Sequence, residues 1–239
     1  MSSTCWAILP AAGIGSRMGG DLPKQYIEVA GATIFEHSLR ALLACPQLTA
    51  VVVALHPEDS RAANLPVLAD ARVQPVVGGE QRSDSVLAGL DALAQQAAAG
   101  DWVLVHDAAR PCLQLEDSLR LIARVTDSGI GGILAEPIVD TVKQAGEDGL
   151  VAATLDRKTL WRAQTPQMFR LGELREALRH AAEQGLAVTD EASAVEMAGY
   201  PVQLVPGSSR NLKVTVPADL QLAAWYLQEQ AEQTNWSNN

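Results

Sequence analysis

The sequence predicts an α/β fold, a mostly parallel sheet covered on both faces by helices. Two observations carry that expectation. Short apolar runs alternate along the chain with amphipathic helical stripes, and a stretch with four glycines among ten residues follows the first run. The length of 239 residues suits one large domain, 1–239, since a single α/β core reaches this size.

Cys5–Leu9 is the first apolar run, and Ala11–Gly20 after Pro10 reads as a wide loop. Thr33 and Glu36 have the spacing of a capping box; Ile34, Leu39, Leu42 and Leu43 form the stripe of the helix they open, which ends near Pro46. Ala50–Leu55 is a buried strand stopped by Pro57. Val73–Val77 is another, before Gly78-Gly79, and Ser83 is placed to cap a helix with apolar positions Val86, Leu87, Leu90 and Leu93. Trp102–Val105 is a continuous apolar strand that delivers His106, Asp107 and Arg110 beyond its end. Leu115–Val125 is helical and Gly132–Ala135 a strand. Leu171–Ala182 and Asp190–Met197 are helices, Val202–Val205 a strand and Leu212–Val216 a β-like run. Pro217 opens the last helix, through Leu227, where its missing N–H costs nothing.

Residues 136–157 break this rhythm. Val139, Thr141 and Val142 look β-like, Gly146–Gly149 a turn, and Val151–Leu155 β-like again. A two-stranded excursion is marginal alone, so it is expected to dock on a second subunit as the arm of a homodimer.

A net charge of -10 repels nucleic acid and anionic membrane surfaces, and no run approaches the roughly 18 apolar residues of a spanning helix. Cys5, Cys45 and Cys112 show no CxxC spacing and are odd in number, which points to free thiols and a cytoplasmic location. An anionic ligand would need a local cluster of cations against this acidic background.

Parallel sheets bind ligands beyond the C-terminal ends of their strands, which puts the loops starting at Pro10, Gly78 and Asp107 on one rim. In Pro10–Gly19 with Pro23-Lys24, glycines let backbone N–H groups approach phosphate oxygens, Arg17 and Lys24 supply charge, and the small Ala11 and Ala12 leave room for a base or sugar. The glycine spacing is not that of a dinucleotide fingerprint, and no Gly-Lys pair exists to make a P-loop. In Gly78–Val86, Ser85 offers a base-reading hydroxyl at a helix N-terminus. Asp107 can hold a Mg²⁺-bound water or a ribose hydroxyl, and Arg110 a phosphate. Lys143, Arg157 and Lys213, with Thr141 and Thr165, suit a second anionic group; alternation turns Lys213 away from the side of Leu212 and Val214.

Pro10–Met18 with Pro23-Lys24-Gln25-Tyr26, Asp84-Ser85-Val86, His106–Pro111, Asp140-Thr141, Thr165-Pro166-Gln167, Thr189-Asp190-Glu191 and Lys213-Val214-Thr215 occur here in one order. This set resembles the 2-C-methyl-D-erythritol 4-phosphate cytidylyltransferases of the non-mevalonate isoprenoid pathway, over essentially the whole chain. The resemblance implies a three-layer sandwich with a Rossmann-like sheet of the nucleotidyltransferase type and a protruding β-arm. It implies transfer of CMP from CTP to methylerythritol phosphate, releasing pyrophosphate, with Mg²⁺ bound mainly through the CTP phosphates and no residue assigned as a metal ligand. Arg17, Lys24 and Lys213 would be catalytic. Pro10, Ala11, Ala12, Gly13, Gly79, Glu80, Ser85, Asp107 and Ala108 would bind the nucleotide. Asp107, Arg110, Thr141, Arg157, Thr165 and Lys213 would bind the phosphosugar, with Arg157 reaching across the dimer. From the residues alone, a cytidylyltransferase for another polyol phosphate such as ribitol 5-phosphate, or a non-catalytic nucleotide sensor, remain alternatives.

Overall fold

The computed structural model describes residues 4–13 and 22–237. Among them, strands β1 (Cys5–Ala11), β4 (Leu48–Leu55), β5 (Val73–Val77), β6 (Trp102–Val105), β7 (Gly132–Pro137), β10 (Trp161–Arg170) and β11 (Gln203–Pro206) form one sheet. Their spatial order is β11-β7-β10-β6-β1-β4-β5. All run parallel except β10, which lies antiparallel between β6 and β7. Two short pairs stand apart, β2 (Glu28–Val29) with β3 (Ala32–Thr33), and β8 (Lys143–Ala145) with β9 (Val151–Thr154).

Alternation along each central strand feeds both faces. In β1, Cys5, Ala7, Leu9 and Ala11 join the core under α1 (Ile34–Leu43) and α3 (Leu115–Ser128), while Trp6 and Ile8 join the core under α2 (Arg82–Leu93), α4 (Leu171–Glu183) and α5 (Glu191–Met197). That is the expected three-layer arrangement. A third, smaller apolar cluster seats α6 (Pro217–Ser237) through Ala223 and Leu227. No helix among the described residues is long and apolar enough to cross a membrane.

The capping box of α1 forms as expected: Thr33 Oγ1 accepts Glu36 N–H at 3.1 Å, and Glu36 accepts Thr33 N–H at 3.0 Å. Three expectations need correction. Helix α2 starts one residue before Ser83; its N-cap is Gln81, whose N–H is accepted by Asp84 at 3.0 Å. Strand β10 was not expected at all. And 212–216 is no strand but an irregular strap, because its backbone bonds elsewhere: Val214 N–H goes to Ala109 O at 2.8 Å, and Asp219 accepts the N–H of Thr215 and Val216. The side chains still divide as alternation required, with Val214 fully buried and Lys213 exposed.

The excursion is a hairpin, β8 with β9, that pairs with no strand of the main sheet. Val139, Leu150 and Val151 on and beside it are 74%, 69% and 64% exposed, an apolar surface left uncovered by the chain itself.

Candidate active site

Parallel strands β5, β4, β1 and β6 end on one rim, where described residues that follow β1, β5 and β6 line a cavity of about 290 Å³. Pro10, Gly13, Lys24, Glu80, Ser85, Asp107, Ala108 and Lys213, all expected site residues, line it, and Gln25, Gln81, Arg82 and Ala109 join them. An adjoining cavity of about 190 Å³ is lined by Arg110, Thr165, Gln167, Asp190 and others. Arg82, Asp107 and Lys213 line both, so they form the junction. Ala11, Ala12 and Gly79, also expected to bind the nucleotide, do not line this cavity of about 290 Å³.

Local contacts explain these positions. Gln25 is buried and donates to the carbonyls of Ala11 and Gly13, each at 3.0 Å, tying the end of β1 to the turn at 24–26. Lys24 Nζ donates to Val214 O at 3.3 Å, which joins the turn at 24–26 to the strap. The loop after β5 comes so close to β1 and α2 that a Cβ on Gly78 would lie 2.6 Å from Ala12 Cβ and 2.8 Å from Ser85 Oγ. Ser85 Oγ accepts Gly79 N–H at 3.2 Å and lies 3.2 Å from Gln81 O, so its proton serves the loop; the hydroxyl shapes the cavity wall more than it is free to donate to a base.

Asp107 is the electrostatic centre. Arg82 Nε donates to its Oδ1 at 2.8 Å, Lys213 Nζ to its Oδ2 at 2.8 Å, and Arg110 Nε stands 3.9 Å from Oδ2. Burial alone would raise the carboxyl's pKa, but Arg82 and Lys213, then Arg110, outweigh it and hold the group well below the usual carboxylate range. Arg110 is aimed by its Nη1 bond to Asn211 O at 2.7 Å, while its buried Nε has no hydrogen-bond partner.

Asp107 is held by its backbone too. Its N–H donates to Thr165 Oγ1 at 3.0 Å, and Thr165 Oγ1 lies 2.9 Å from His106 Nδ1, whose Nε2 is 3.1 Å from Arg110 O. A carbonyl can only accept, so Nε2 carries the proton, and burial pushes the imidazole down to about 4, keeping it neutral. Nδ1 must then accept from Thr165. The hydroxyl proton of Thr165 is thereby committed, and the residue acts by placing Asp107.

Thr141 and Arg157 line neither cavity. Both are exposed near the hairpin, where Arg157 donates to Val139 O. Arg17 lies outside the described residues. The sequence reading missed the role of Arg82, which binds Asp107 and, through both terminal nitrogens, Glu191. Its signal was available only as co-occurrence of Arg82 and Glu191 in two separate motifs. Cys5, Cys45 and Cys112 are free and buried; burial raises the first and last thiols to about 11 and about 12, so they are unreactive near neutrality.

The family model for 2-C-methyl-D-erythritol 4-phosphate cytidylyltransferase (IspD) matches residues 5–229. The 2-C-methyl-D-erythritol 4-phosphate cytidylyltransferase of Ectopseudomonas mendocina is 52% identical over 234 residues, 97% of this chain and 98% of that protein. The crystal structure of a 4-diphosphocytidyl-2C-methyl-D-erythritol synthase superposes with a TM-score of 0.81 at 38% identity, covering 95% of this chain and 100% of that one. The Francisella tularensis 2-C-methyl-D-erythritol 4-phosphate cytidylyltransferase superposes with a TM-score of 0.79 at 38% identity, covering 94% and 100%.

Proposed function

This chain belongs to the 2-C-methyl-D-erythritol 4-phosphate cytidylyltransferase family, and we infer from that membership that it transfers CMP from CTP to 2-C-methyl-D-erythritol 4-phosphate, releasing pyrophosphate. It is a nucleotidyltransferase of isoprenoid biosynthesis. The structural observation that carries the reading is the pair of adjoining cavities with Arg82, Asp107 and Lys213 at their junction. The larger cavity, lined by Gly13 and Lys24, takes the nucleotide; the smaller, with Arg110 and Thr165, takes the phosphosugar.

The reaction is an in-line attack of a phosphosugar phosphate oxygen on the α-phosphorus of CTP. A phosphate monoester carries about -1.5 to -2 charge near neutrality and is already a nucleophile, so no strong side-chain base is needed. This agrees with a neutral His106 whose two nitrogens are both engaged. The barrier is chiefly electrostatic: two anions meet while charge grows on the phosphoryl oxygens. Lys24 and Arg17 neutralise the triphosphate, and Lys213 stands at the junction where both phosphates converge.

The donor set does not suit a divalent ion held by the protein. Among the described residues no three His, Cys, Asp or Glu side chains converge, and Asp107 is already faced by Arg82, Lys213 and Arg110. Magnesium enters in this reading as its CTP complex, where it supplies further neutralisation of the phosphates.

The hairpin is the dimerisation arm, and Thr141 and Arg157 serve the partner's phosphosugar cavity. Two features support this: the hairpin's uncovered apolar side chains, and the absence of both residues from the cavities of their own chain. A pyrophosphate-release assay with CTP and a panel of sugar phosphates tests the activity. Release with methylerythritol phosphate is expected; release only with another polyol phosphate, or CTP binding without transfer, would refute it.

A further inference from the structure

Glu191 is 1% exposed, and both its oxygens are taken by one side chain: Arg82 Nη1 to Oε1 at 2.5 Å and Nη2 to Oε2 at 2.9 Å. The third nitrogen of the same guanidinium, Nε, holds Asp107 Oδ1. A planar, rigid fork spread over two carboxylates fixes the direction of both. Glu191 is itself anchored, because Gln167 in β10 donates to Asp190 Oδ2 and accepts Ala192 N–H, each at 2.8 Å, and so pins the first turn of α5. Burying such ions is costly, and a buried ionic group is best explained where it specifies geometry.

The two oxygens of Asp107 are unequal as a result. Oδ1 is bound to the anchored fork. Oδ2 faces Lys213, whose side chain is 42% exposed and lies on an irregular strap. We propose that Arg82 and Glu191 are a positioning pair for CMP transfer: they hold Asp107 by Oδ1, so that Oδ2 is presented to a hydroxyl of the phosphosugar when Lys213 leaves it for the phosphates. This rests on the cytidylyltransferase reading above.

The test is steady-state kinetics in both substrates for R82K, E191Q, D107N and the double variant R82K/D107N. R82K and E191Q are expected to lower kcat/KM for methylerythritol phosphate by about tenfold while KM for CTP stays within about twofold. The double variant is expected to be no worse than D107N by more than about twofold, since nothing is left to position. Three results would each overturn the proposal: single variants within about twofold of wild type for the phosphosugar, equal losses toward CTP and phosphosugar, or losses that multiply in the double variant. Should E191Q fail to fold, R82K, altering a partly exposed side chain, decides alone. Wild-type protein inactive with methylerythritol phosphate would instead remove the underlying reading, whereas a fully active D107N would remove only the positioning role.

Discussion

Thr165→Val removes one hydroxyl and little volume, and the structure says what that costs. Thr165 is 4% exposed and its Oγ1 serves two buried partners, accepting Asp107 N–H and donating to His106 Nδ1. Valine leaves one donor and one acceptor unpaired in a dry setting, where each orphan costs about 1–3 kcal/mol. Some relaxation is to be expected, which puts the loss at about 3 kcal/mol. For a chain of this size that is a fall in Tm of about 6–12 °C, at about 2–4 °C per kcal/mol. Thr165→Ser keeps the hydroxyl and loses only a methyl, about 1 kcal/mol. Thermal and urea unfolding of the two variants, run beside kcat/KM for the phosphosugar, measures both consequences: Val destabilises and also loosens Asp107, whereas Ser does neither to the same degree. A Val variant within about 0.5 kcal/mol of wild type, or a Ser variant as destabilised as Val, would show that the hydroxyl does not bridge these two groups.

Lys24→Ala and Arg17→Ala are each expected to cut kcat by about 10²-fold or more, because losing one donor to a developing oxyanion costs about 3 kcal/mol; near-normal turnover in steady-state assays would exclude the role. Arg157→Ala should weaken use of the phosphosugar and leave CTP affinity intact, and calorimetry showing equal loss of both would contradict that division. Stability should fall as pH drops from 7 to 5 by about 2 kcal/mol through His106. Its pKa is about 4 when folded and buried, and near 6.5 when unfolded. The unfolded chain therefore binds more protons in that window, and stability rises with pH. Asp107, whose pKa is depressed, adds stability that is fully present above its unfolded value near 3.8 and is lost only below it, so it adds no slope in this window. Urea melts of wild type and His106→Gln at the two pH values check this; equal slopes in both would refute it.

Strands buried on both faces were legible in the sequence because burial on two sides makes an unbroken apolar run, as in Trp102–Val105 and Ala50–Leu55. Strand β10 hid because its centre, Gln164-Thr165-Pro166-Gln167, is buried for hydrogen bonding rather than for hydrophobic contact. Gln164 reaches Ser208 O, Gln167 the start of α5, and Thr165 the end of β6. No local pattern announces such bonds, because their partners lie 23 to 58 residues away. Arg82 escaped for the same reason, since its two anchors are 25 and 109 residues distant. Gly13, Lys24, Asp107 and Lys213 could be placed at the cavity because each carries local meaning: strand ends, small residues and a cation beside them.

An acidic protein that must gather two phosphorylated anions faces a conflict, since free cations packed together repel each other before substrate arrives. The junction resolves it with carboxylates: Arg82, Lys213 and Arg110 surround Asp107, and Glu191 takes the rest of Arg82. These counter-ions differ in how far they can be displaced. Glu191 is bound twice and fully enclosed, whereas the Lys213 contact is single and half open to solvent. An incoming phosphate is the stronger competitor for Lys213, because its charge is larger and it can accept from several donors at once. Arg82 is not released by the same exchange. The site therefore gains a mobile positive charge only when a phosphate is there to take it, and keeps its carboxylate aimed while that happens.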